Sequence, residues 1–206
     1  MNEIKLNIDD RSKLSKFIID GAPTEWFSYA EELMEAAELL WQKSNSVESE
    51  IIYTEIENKK NQIVESRKIS AISRTYFLLV GFAIENLLKG YIVLNTPSTI
   101  TQGKISKKLK SHKITNLVKE ISEINLSNEE LEICKKIEEA IPYWGRYPIP
   151  LKYTGIAPDI GVTSKIRKII KGMYHRLALQ LYNEVKNGWE SGTGERVDHY
   201  FIKKYE

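Results

Sequence analysis

Arg146 and His112 are the residues with the clearest capacity for chemistry. Arg146 stands in Trp144-Gly145-Arg146-Tyr147-Pro148-Ile149-Pro150, directly after a helical stretch, and His112 precedes it by about thirty residues. A planar guanidinium reads phosphate or carboxylate, or stacks on rings. The two prolines lack amide donors and restrict the residue before each, so regular structure stops around that arginine. An imidazole can act as general acid or base near neutral pH. Tyr147 and Trp144 can stack on a nucleobase. A basic run, Lys104, Lys107, Lys108, Lys110 and Lys113, surrounds His112 in the chain and is suited to anions.

Other candidates are weaker. His175-Arg176 falls inside a helical stripe, where a satisfied histidine is the plain reading, and His199 lies in the tail without a partner in sequence. Gly192-Thr193-Gly194 is too short for a phosphate loop, and no Walker, dinucleotide or nucleophile-elbow pattern occurs. Three histidines and scattered carboxylates give no metal-ligand spacing, so neither metal nor cofactor is expected. The single Cys134 excludes an intramolecular disulfide, and its helical context predicts a buried packing residue.

Helices must position these groups. Glu25 to Lys43 carries Ala30, Leu33, Ala37, Leu40 and Trp41 at helical spacing, with glutamates elsewhere. Residues 44–66 read as a polar connector with a short Ile51-Ile52-Tyr53 patch, or as more helix. Arg67 to about Leu94 is apolar nearly all round and belongs in the middle of a bundle. Gly81 within it admits close helix contact. Thr96 to Lys110 reads as loop, with Ser111 capping a helix that starts near His112. Ser127 and Glu130 form a capping box for the next helix, which carries Leu131, Cys134, Ile137, Ile141 and Trp144. Tyr147 to Val162 is irregular. Thr163 or Ser164 caps a long last helix ending near Gly188, and the tail 189–206 is a loop that docks through Tyr200, Phe201 and Ile202. No alternating strand pattern is present. The expectation is an all-α, up-and-down bundle of four to five main helices in one domain, residues 1–206.

A short link makes the His112 helix and the Asn128 helix antiparallel neighbours. His112 then lies near Trp144 and Arg146, and the last turns of the central helix bring Glu85 and Lys89 to the same end. The candidate ligand-binding set is Glu85, Lys89, His112, Lys113, Arg146 and Tyr147, with amides at the helix start near His112 adding an anion site. The bland alternative has Glu85 pairing with Arg146, His112 capping a helix and Trp144 in the core.

Net charge is +2, but residues 1–66 sum to −7 and residues 67–206 to +9. This asymmetry steers an anionic partner to one face or joins the two regions to each other. Met1–Asp20 is polar with charges of both signs, unlike a secretory signal, and the longest apolar stretch, around Tyr76–Ile84, is short for a membrane span. A cytoplasmic protein without membrane attachment is expected.

Four segments together resemble the HEPN superfamily of helical domains. They are Ala30-Glu31-Glu32-Leu33-Met34-Glu35-Ala36-Ala37, Ala83-Ile84-Glu85-Asn86-Leu87-Leu88-Lys89-Gly90, Ser111-His112-Lys113-Ile114 with Leu117, and Gly145-Arg146-Tyr147-Pro148. The resemblance spans roughly residues 25–185. It implies a helical bundle, frequent homodimerisation and a role around RNA or nucleotides, in prokaryotic toxin–antitoxin or defence systems and often beside a nucleotidyltransferase-type antitoxin. Catalytic members carry Arg, four to six residues, then His on a late helix. Here Arg167 and His175 have seven residues between them, and Arg196 and His199 have two. No catalytic residue carries over. The expected function is an RNA- or nucleotide-associated protein of such a system without the usual ribonuclease motif. The alternatives are a non-catalytic dimeric helical interaction module, with Tyr174, His175 and Tyr182 offered to the interface, and a ribonuclease with non-standard residues such as His112 and Arg146.

Overall fold

In the computed structural model of the chain, residues 8–46, 73–144 and 161–205 are described. Six helices dominate them: α1 Ile8–Asp20, α2 Pro23–Ser46, α3 Ser73–Asn95, α4 Ile114–Lys119, α5 Asn128–Trp144 and α6 Ser164–Val185. The all-α bundle expected from the periodicities is the observed class. Most of the polar connector, its Ile51-Ile52-Tyr53 patch, the start of the central stripe at Arg67–Ile72, and residues 145–160 with Arg146 and Tyr147 lie outside the described residues.

The hub is α3. It packs along α2 and also touches α4, α5 and α6, while α2 and α5 each meet α6. Every residue from Ala83 to Val93 is buried, which explains why this helix is apolar on all sides and not striped. The close approach of α5 depends on Gly81. A Cβ there would stand 2.7 Å from both Ile137 Cγ2 and Ile141 Cδ1. By length and composition Ser73–Asn95 could cross a membrane, which corrects the shorter apolar count taken from the sequence; 78% of that apolar window is buried in the bundle. The helix stops at Asn95, before Thr96-Pro97, where proline cannot continue it.

Local signals set the ends of the other helices. Pro23 opens α2 at a position where no intrahelical donor is needed. The capping box of α5 forms: Ser127 N donates to Glu130 Oε2 at 2.8 Å, and Glu130 N to Ser127 Oγ at 3.2 Å. Thr163 caps α6 by accepting from Ile166 N at 3.2 Å. Within α2 the buried stripe is Phe27, Ala30, Met34 and Ala37. Leu33, Leu40 and Trp41, expected inside, are only half-buried.

Three expectations change. First, α1 occupies residues read as merely polar. Its buried stripe is narrow, with Ile18 inside and Leu14 and Phe17 partly so, and Lys13–Asp9 and Lys16–Asp20 pairs line the exposed side. Second, the helix near His112 starts later and lacks its serine cap. Lys113 is the residue preceding α4 and makes no side-chain cap; Ser111 Oγ instead accepts from Lys113 N at 3.2 Å. Third, the tail holds a two-residue antiparallel ladder, β1 Trp189–Glu190 with β2 Arg196–Val197. The turn between them uses Gly192 and Gly194 at positive φ.

The tail docks through Tyr200 and Ile202, two of the three residues expected, which pack against the core, and also through Tyr205. The Tyr205 ring packs among Phe27, Tyr182 and His175, and its hydroxyl donates to Glu31 Oε1 at 2.9 Å. The Tyr200 and Ser28 hydroxyls share a hydrogen bond. Phe201 points out, 69% exposed.

Candidate functional site

Glu85 and Lys89 are four residues apart on α3, so they stack on one face a turn apart. Lys89 Nζ donates to Glu85 Oε1 at 2.6 Å, and the side chains are only 7% and 4% exposed. Lys89 Nζ also sits 5.8 Å over the Trp26 ring, whose Nε1 donates to Gly21 O at 3.0 Å. Two buried charges lose hydration that their mutual attraction scarcely recovers. The pair is therefore a poor device for stability alone, but it holds the Glu85 carboxylate firmly in one place.

His112 arrives from the loop before α4 and meets that carboxylate. Its Nδ1 lies 3.1 Å from both Glu85 oxygens, while the side chain is 66% exposed. A carboxylate only accepts, so Nδ1 is the donor, by assignment from this contact. The outer nitrogen, Nε2, has no hydrogen-bond partner among the described residues. A buried carboxylate thus orients an exposed imidazole with its other nitrogen free, an arrangement suited to proton transfer or nucleophilic attack.

The structure brings Glu85, Lys89 and His112 together. Lys113 follows in the chain with its side chain exposed. Arg146 and Tyr147 are outside the described residues, so their relation to this cluster does not enter. Nearby, Lys104, Lys107, Lys110 and Lys113 are exposed and form no ion pair among the described residues. Lys108 differs, pairing with Glu120 at 2.5 Å.

Two roles considered for this region fall away. The start of α4 is no anion site, because the helix has six residues and Glu138 of α5 already occupies it. Glu138 Oε2 accepts from Thr115 N at 2.9 Å and from Thr115 Oγ1 at 2.6 Å. His112 caps no helix among the described residues; its ring meets Glu85.

The late helix is committed elsewhere. Arg167 grips Glu38 of α2 through Nε at 3.1 Å and through Nη2, and stacks on Trp41 at 5.3 Å. Lys171 adds 2.9 Å to the same carboxylate, and Tyr76 OH donates to it at 3.3 Å. Burial raises the Glu38 pKa, but hydrogen bonds and charge attraction from Arg167 and Lys171 together outweigh it and leave the carboxyl below its ordinary range. His175 stacks on Tyr205 at 5.6 Å. Tyr174 and Tyr182, offered above to a dimer interface, are buried within the chain. Tyr174 donates to Glu31 at 2.7 Å, and burial followed by the Glu31 charge pushes its phenol well above the ordinary value.

Cys134 is buried with its Sγ 3.8 Å from Met173 Sδ, and burial, then the Glu130 and Glu138 charges, push its thiol up to about 12. It is a packing residue. Among the described residues, no three His, Cys, Asp or Glu side chains gather to hold a metal ion.

Sequence reasoning missed Trp26 as a neighbour of Lys89, and Glu38 as the partner of Arg167. Trp26 and Lys89 are on different helices, and Glu38 is 129 residues from Arg167. Neither contact leaves a local signal. No protein-family model, curated protein or solved structure matches the chain.

Proposed function

We propose that this is an HEPN-like protein of a prokaryotic defence or toxin–antitoxin system that associates with RNA or a nucleotide without the ribonuclease motif usual in that family. The observation that carries the reading is the exposed His112, anchored by the buried Glu85–Lys89 pair and lying within a run of exposed lysines, of which Lys104, Lys107, Lys110 and Lys113 form no ion pair among the described residues. The four HEPN-like segments supply the family. The commitment of Arg167 to Glu38 and of His175 to Tyr205 supports binding over the family's usual cleavage chemistry. A second copy and a nucleotidyltransferase-type antitoxin are the protein partners of this reading, and the cytoplasm its setting.

Titration with single-stranded RNA in the ultracentrifuge tests it and reports whether the free protein is a dimer. Four lysine contacts to phosphate imply an affinity loss of about 50-fold between 50 and 200 mM salt. Changing Lys104 and Lys107 to Glu flattens that dependence. No binding at the lower salt, or binding indifferent to salt, sinks the RNA part.

A second reading rests on the Glu85-held imidazole: RNA cleavage with His112 as base. RNA turnover lost in His112→Ala, with binding kept, would establish it.

A further inference from the structure

We propose that His112 is a phosphoryl-acceptor site, taking a phosphoryl group on Nε2 from a donor of high transfer potential, a phosphoramidate or an acyl phosphate. Such an acceptor must be reachable, must present a nitrogen lone pair, and must tolerate the positive charge that its ring gains. His112 meets each requirement. Its side chain is 66% exposed. Glu85 holds Nδ1 as the donor, which leaves the lone pair of the neutral ring on Nε2. The same carboxylate faces the ring as it becomes cationic, and cannot swing away, because Lys89 holds it in a buried position.

The step is a simple displacement. The Nε2 lone pair forms a bond to phosphorus. The phosphorus–nitrogen bond of the phosphoramidate breaks and ammonia leaves, or the phosphorus–oxygen bond of the acyl phosphate breaks and carboxylate leaves. The Nδ1 proton stays against Glu85, and nothing is oxidised or reduced.

The other two histidines serve as internal controls. His175 lies stacked on Tyr205. His199 is exposed beside Phe201, but no carboxylate is hydrogen-bonded to its ring among the described residues. Exposure alone therefore predicts equal modification of His112 and His199, whereas carboxylate orientation predicts His112 alone. A phosphoryl group carries up to about two negative charges, so at His112 it places them among Lys110, Lys113 and their neighbours. Weakened RNA binding is a consequence that rests on the proposed function; the acceptor chemistry does not.

The test treats the full chain with phosphoramidate and maps the product by mass spectrometry at neutral to alkaline pH, with phosphorus NMR assigning the nitrogen. The expected result is one acid-labile phosphoryl group, on Nε2 of His112, absent from His112→Ala. Glu85→Gln leaves an amide oxygen to accept from Nδ1 but removes the charge that faces the cationic ring, and is expected to slow the reaction about 10-fold, with no phosphoryl group gained at His199. Modification of His199 as fast as His112, or on Nδ1, overturns the proposal. Should Glu85→Gln fail to fold by circular dichroism, the two rates within the wild-type chain still decide. Selective phosphorylation without RNA binding would leave this inference standing and remove the RNA reading.

Discussion

Two carboxylates, Glu85 and Glu38, gather cations in this bundle, and the two clusters end differently. Around Glu38 every group turns inward: Arg167, Lys171 and Tyr76 all donate to it, and the guanidinium lies on Trp41. The result is a clamp between α2 and α6. Around Glu85 the ion pair is deeper, yet the chain of contacts runs outward to an imidazole with one nitrogen unengaged among the described residues. A cluster that satisfies itself is a fastener. One that ends in an exposed, oriented nucleophile is available to another molecule.

The largest expected effect breaks the deeper pair. Glu85→Ala strands Lys89 among apolar neighbours and is expected to lower unfolding free energy by about 3–5 kcal/mol in a denaturant titration. Replacing both partners, Glu85→Leu with Lys89→Met, should recover most of that loss, because neither charge is then buried. A double variant as unstable as the single one would show that the pair itself, and not the orphaned charge, stabilises the fold.

Glu38→Gln comes next, at about 1–3 kcal/mol for weakened charge-assisted hydrogen bonds. Its pH dependence separates the two clusters better than its size. The native Glu38 pKa is lowered, so its contribution is fully present above the unfolded carboxyl pKa of about 4.5. It is lost as pH falls from there through the lower native value. Wild-type protein should therefore lose stability on acidification more steeply than Glu38→Gln, followed by thermal melts from pH 6 to pH 3. Parallel curves would deny Glu38 its role as a charged clamp.

The smallest effect sharpens the contrast from the other side. His112→Ala removes an exposed ring and leaves Glu85 with Lys89, so stability should change by less than about 1 kcal/mol. A larger loss in denaturant titration would make His112 part of the fastening.

Legibility in the sequence followed the range of each interaction. The capping box at Ser127, the Thr163 cap and the predominantly apolar character of α3 were readable, because each is set by residue types close together in the chain. Glu85 and Lys89 were read as members of one end of the bundle and not as a pair, although i and i+4 side chains on a helix are neighbours. The first helix escaped because only a narrow stripe of it is buried, and surface pairs fill the rest of its face. The serine cap assigned near His112 failed for the opposite reason: Glu138, from another helix, supplies the acceptor at that helix start.

The sequence by itself determined that the chain is helical, which stretch is central, and which residues have the means for chemistry. Tertiary structure alone decided who meets whom. It delivered His112 to Glu85 across 27 residues and consumed Arg167 on Glu38, and it sealed Tyr174 and Tyr182 inside. Helical period and capping are written in short-range chemistry, whereas the partner of a charge is chosen by how whole helices pack around α3, and no local pattern encodes that choice.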